Sequence, residues 1–178
     1  MKKTTNTLLW LIQVISTVVF CALCVQAAGL IFFSVYHVID PENSREMILG
    51  IDMAQLFSLT KIDFVILYML TLSIPVLKAF AFYYTLKIFN RLNLVKPFSQ
   101  EIASLISKIS YLILTIGILG TVAFQYSEIL DAKGFELNQL QNWWNDNYAY
   151  LLMGSIIFVI AQVFKKGLEI QSENELTV

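Results

Sequence analysis

Four long apolar runs dominate the chain, and its charges fall almost entirely between them. The runs cover about residues 8–36, 63–88, 106–127 and 148–164. Each reaches the range of roughly 17–25 residues that a helix needs to cross the hydrocarbon of a bilayer. Inside hydrocarbon every backbone N–H and C=O must be bonded within the protein, so runs of this length specify helices. The expected fold is all-α, an integral membrane four-helix bundle in which residues 1–178 form a single membrane domain. Composition agrees: 57% of residues are hydrophobic and 14% charged, against about half and a quarter in soluble domains. A net charge of −1 supplies no field for direct nucleic acid binding.

Basic residues near span ends set orientation. Lys2, Lys3, Lys87, Arg91, Lys96, Lys108, Lys165 and Lys166 fall on the side of both termini and the central connection. Arg45, Lys61 and Lys133 fall on the other side, and Lys78 lies within a span. This bias predicts cytoplasmic termini, a cytoplasmic connection over 89–105 and a cytoplasmic tail over 165–178. Lys2-Lys3, the apolar stretch and Val25-Gln26-Ala27 have the look of a secretory signal. The apolar run continues to Tyr36, so the reading is an uncleaved first span.

Within the spans, small and amide residues such as Gln13, Ser16, Thr17, Gln26 and Gly29 mark a helix contact face. Cys21 and Cys24 share one face, but their flanks are apolar and no cationic group is near to favour a thiolate. They read as small residues at a helix contact. His37, the one histidine, reads as a polar span end. Pro75 falls mid-span and should kink its helix by removing one backbone bond. Lys78 lies about ten residues before Lys87, roughly 15 Å at 1.5 Å per residue. At that depth it either contacts a ligand or counter-charge inside the bundle, snorkels, or meets carbonyls freed by Pro75. Pro75 and Lys78 are thus the candidate functional residues within the membrane.

The connection over 37–62 carries an Asp40-Pro41 turn signal and enough apolar residues for a short helix at the interface. The connection over 128–147 has a turn at Gly134, and Trp143, Trp144, Tyr148 and Tyr150 read as an interfacial aromatic belt. In the central stretch, Pro97-Phe98-Ser99 starts a helix. Ser99 caps its N–H groups and Glu101 sits in the positive first turn. Ile102, Leu105, Ile106 and Ile109 then recur at helical spacing, with Gln100, Glu101, Ser104, Ser107 and Lys108 opposite.

Two stretches resemble the bacterial DUF2975 membrane proteins. The segment NRLNLVKPFSQEIASLISKIS is similar to that family's Pro-Phe-Ser/Thr segment, and FVIAQVFKKGLEIQSENELTV to its carboxyl terminus. The matching residues are Pro97, Phe98, Ser99, Phe164, Gly167, Glu173, Leu176, Thr177 and Val178. Val95 or Lys96 stands where a glycine is common, and Ile102 where an asparagine often follows the glutamate. The resemblance implies four spans and no assigned activity. Members are often encoded beside a small helix-turn-helix regulator of the Cro/C1 type, which implies a membrane-bound partner or sensor.

One histidine, no metal-ligand cluster, no nucleophile elbow and no phosphate loop argue against an enzyme or a cofactor. The expected role is an interaction or sensory component of the bacterial inner membrane, whose cytoplasmic face binds a soluble partner. That face comprises Arg91, Lys96, Pro97, Phe98, Ser99, Glu101, Gly167, Glu173, Leu176, Thr177 and Val178. The tail is too short to fold alone. It could add to a partner's sheet edge, or latch onto its own chain through Glu169, Glu173 and Glu175 against Lys87, Arg91 and Lys96. The alternative is a subunit of a transporter or channel, with Lys78, Gln13, Gln26, Gln125 and Gln162 as polar span residues. Besides the lipid bilayer, a second copy of the chain is an open partner.

Orientation is testable by labelling. With Cys21 and Cys24 replaced by alanine, a cysteine at Ser172 should react with an impermeant maleimide only after membranes are opened. One at Lys133 should react in intact cells. The opposite pattern would invert the topology.

Overall fold

The computed structural model describes residues 2–39, 47–48, 51–52, 56, 58–91 and 99–176. Its long helices are α1 (Lys2–Ile39), α2 (Lys61–Arg91), α3 (Gln100–Asp131) and α5 (Asn147–Leu176). Between them lie the two-residue strands β1 (Met47–Ile48) and β2 (Ile51–Asp52), which pair antiparallel, and the short helix α4 (Asn138–Trp143). The four long helices are long and apolar enough to cross a membrane. Large apolar side chains such as Trp10, Val18, Phe32, Met69, Leu152 and Val163 cover their outer surface. This is the surface a chain surrounded by lipid takes.

The helices pack in chain order, α1 on α2, α2 on α3, and α3 on α5. Cross-contacts show that each pair is antiparallel. Gln13 Nε2 donates to Asn90 Oδ1 at 3.0 Å, and the Tyr68 hydroxyl donates to Leu30 O at 3.0 Å. Between α2 and α3, Arg91 meets Glu101 at one end, while Tyr126 donates to Asp63 Oδ1 at 2.5 Å at the other. α1 is the peripheral member: only 6% of its apolar window is buried.

α3 and α5 make the closest pair. A Cβ on Gly117 would sit 2.7 Å from Leu151 Cγ, and one on Gly154 would sit 2.8 Å from Leu114 Cγ. Each helix thus places a leucine over the other's glycine, and Asn147 lies over Gly120. Small residues permit this approach where lipid offers no hydrophobic drive. Ser99 caps α3 as its position predicts, accepting from Ile102 N at 3.2 Å. At the other end Gly134, at φ +96°, closes the helix. Its N–H bonds Asp131 O at 2.9 Å while Phe135 N–H bonds Leu130 O at 3.3 Å, a pairing that favours glycine in the left-handed region.

Expectations are corrected in the second connection, in the tail and at Ser107. In the first connection β-branched Ile48 and Ile51 favour the extended backbone of the β1–β2 ladder, and Leu56 is helical. The Asp40-Pro41 turn lies outside the described residues. Of the expected interfacial belt in the second connection, Trp144 is buried in the core while Tyr148 is exposed. Leu137, Leu140 and Trp144 are buried, and α4 packs against β2. Both connections form a cap that shares one core with Leu67, Ile74, Ile116 and Leu130. The tail continues α5 as helix to Leu176 rather than running extended, since Lys165 and Lys166 are good helix formers and need not stop it. Ser107, expected on the polar side of α3, is buried, with its hydroxyl bonded to Ala103 O at 2.9 Å.

Leucine at Gly154 or Gly117 should force α3 and α5 apart. The expected loss is at least about 1–3 kcal/mol, read as a fall in the unfolding midpoint in mixed micelles. Leucine at exposed Ala149 should leave the midpoint unchanged.

Candidate functional site

Two regions carry the sequence-predicted residues: the basic end, where Arg91 meets Glu101, and the middle of α2. At the basic end the ion pair runs from Arg91 Nη1 to Glu101 Oε1 at 2.8 Å and Oε2 at 2.9 Å. It joins the end of α2 to the start of α3. Both side chains are about half exposed, so the pair contributes at most about 1 kcal/mol. It orients rather than stabilises. Lys108 adds a second tie, with Nζ 5.5 Å from the centre of the Tyr84 ring.

Two members of the expected latch have nearer partners. Arg91 pairs with Glu101, and Glu169 pairs with Lys166 one turn away at 2.8 Å. The physical reason is that helical continuation of α5 holds Glu169 beside its own lysine. Gly167 is half-buried within α5 and Glu173 is exposed on it. Leu176 ends the helix. Lys96, Pro97, Phe98, Thr177 and Val178 lie outside the described residues.

The mid-span region is built differently. Pro75 is buried within an unbroken α2 and deprives the Thr71 carbonyl of its helical donor. One turn on, Lys78 turns into the bundle. Its Nζ lies 4.7 Å from the centre of the Tyr150 ring on α5, within the range of a cation–π contact. No carboxylate among the described residues pairs with it. Lys78 lines three adjoining cavities. The smallest, about 20 Å³, also touches Gly120, Trp144, Asp146, Asn147 and Tyr150. A second, about 210 Å³, lies toward Gln26, Pro75 and Trp143. The third, about 300 Å³ and mostly apolar, runs along Ala81, Phe82, Ile109, Ile113 and Met153.

Tyr150, Trp144 and Asn147 were missed as neighbours of Lys78. Their signal was present but ambiguous, since aromatic residues at a span start also read as anchors. Trp144 is 2% exposed, which settles its place inside the protein. Tyr148 is exposed, as an anchor would be. Cys21 and Cys24 are free and exposed, and Cys24 lines an apolar groove between α1 and α2 with Phe20 and Tyr83.

The family profile for a protein of unknown function, DUF2975, matches residues 47–178. The chain belongs to the DUF2975 family. The match covers α2, α3, the cap and α5, and so every residue of the mid-span region except Gln26. α1, the least buried helix, lies outside it. No curated protein and no solved structure matches the chain.

Lys78→Met should raise the unfolding midpoint or leave it unchanged, because a charge in apolar surroundings is replaced by a chain of similar volume. Tyr150→Leu, which leaves the charge without its ring, should lower stability by about 0.5–2 kcal/mol. Thermal unfolding in detergent checks both signs.

Proposed function

We propose that this DUF2975 member is a non-enzymatic interaction component of the bacterial inner membrane, with the basic end in the cytoplasm. Its working surface is the free end of α5. One observation carries the reading. Extending the register of Gly117 with Leu151 along both helices brings Gln100, the first residue of α3, level with Leu168. The helix then continues to Leu176. The residues beyond Leu168 therefore extend roughly 12 Å past the start of α3, at 1.5 Å per residue. They present Ile170, 49% exposed, between Glu169 and Glu173. An apolar side chain flanked by acids on a projecting helix suits docking in a partner's groove.

A soluble protein with a basic-rimmed apolar groove fits this end. A small helix-turn-helix transcription regulator is the partner that the resemblance suggests. A transporter or channel subunit is the second reading, favoured by the cavities around Lys78.

Co-purification from native membranes tests the docking reading. The intact chain should retain a soluble protein that is lost on truncation after Lys166 and weakened roughly tenfold by Ile170→Asp, about 1.4 kcal/mol. Equal recovery with the truncated chain, at equal membrane levels, would remove α5 from the interaction.

A further inference from the structure

The chamber beside Lys78 holds two donors and no acceptor bonded to either. The Trp144 indole N–H is buried and has no hydrogen-bond partner among the described residues. The Lys78 ammonium has the Tyr150 ring beneath it, and no carboxylate among the described residues pairs with it. A buried donor left unbonded costs about 1–3 kcal/mol, and an intramembrane lysine marks a ligand path by default. Both residues line one chamber, and a lone ammonium beside an unbonded N–H calls for a ligand bearing acceptor oxygens and negative charge.

Shape narrows the class. The chamber, about 20 Å³, admits one water-sized group, which suits a single carboxylate oxygen. The cavity of about 300 Å³ adjoins it through Lys78 and Tyr150 and is lined by Ile109, Ile113 and Met153. That volume is at the lower bound for small organic ligands, roughly 300–1,000 Å³, and its lining is hydrocarbon. A charged head and an apolar tail meet at Lys78. We propose that Lys78 and Trp144 bind the head of a long-chain carboxylate, a fatty-acid-like amphiphile whose tail lies between α2, α3 and α5. Asp146 also lines the chamber. Its like charge weakens binding of an anion, so the site discriminates against heads of higher charge. This inference stands apart from docking at the end of α5, and its test uses no soluble partner.

The test uses the full chain with Trp10→Phe in phosphatidylcholine nanodiscs, so that fluorescence reports on Trp143 and Trp144. Stearic acid brominated along its chain should quench saturably. The matching brominated alcohol should need roughly tenfold more, as should Lys78→Met with the acid. Lys78→Arg should retain the acid, and Asp146→Asn should bind it more tightly. Equal quenching by acid and alcohol would mean ordinary lipid contact and overturn the proposal. So would unchanged binding in Lys78→Met, or weaker binding in Asp146→Asn, which would make Asp146 the counter-ion of Lys78 through water. Brominated phosphatidylglycerol quenching as well as the acid would overturn the assignment to a carboxylate. Lys78→Arg keeps the result readable should Lys78→Met fold poorly.

Discussion

The reciprocal seating of Leu151 on Gly117 and Leu114 on Gly154 is the contact on which the rest depends. Lipid tails are as apolar as leucine, so burial alone does not bring two spans together. Close fit does, because dispersion rises steeply as atoms approach. Two glycines remove the side chains that would hold α3 and α5 apart. With that pair formed, α3 has a second face for α2, and Asn147 is set over Gly120 at the head of α5. The position of α5 in turn decides where Trp144 and Tyr150 fall, and hence what Lys78 meets.

A second device is the cap. Leu56, Leu59, Leu137 and Leu140 leave the connections and join the core made by the capped halves of α2 and α3. Burial of this kind is ordinary in soluble proteins but here organises one end of a membrane bundle. The Thr60–Asp63–Tyr126 bonds close the same end. At the basic end Ile102, Leu105 and Ile109 of α3 are buried as well. Polar ties there include the exposed Arg91–Glu101 pair, Lys108 over the Tyr84 ring and the Gln13–Asn90 bond, each weak.

Family membership covers the three helices that form this unit and omits α1. The packing gives a physical sense to that boundary. α1 touches the bundle through α2, with the Tyr68 hydroxyl on Leu30 O and the Gln13–Asn90 amide bond as its polar ties. Among the described residues, α1 gives none to the Lys78 chamber and gives Gln26 to the neighbouring cavity.

The sequence by itself determined the helices. Four apolar runs of spanning length admit one kind of backbone, and Ser99, Glu101 and Gly134 mark ends of α3 or its flanks by chemistry that acts within a few residues. The family was legible for the same reason, since its motif lies in two continuous stretches. Lys78 was legible as an anomaly, because a charge in hydrocarbon is costly wherever the helix turns. What it faces was not. Tyr150, Trp144 and Asn147 are some seventy residues away in the chain, and they reach Lys78 only after glycine packing sets the height of α5. The cap was hidden likewise: leucines in a polar connection have no period, and whether they meet lipid, water or one another depends on where the helix ends come to rest. Local chemistry set the elements, and tertiary packing alone decided their neighbours.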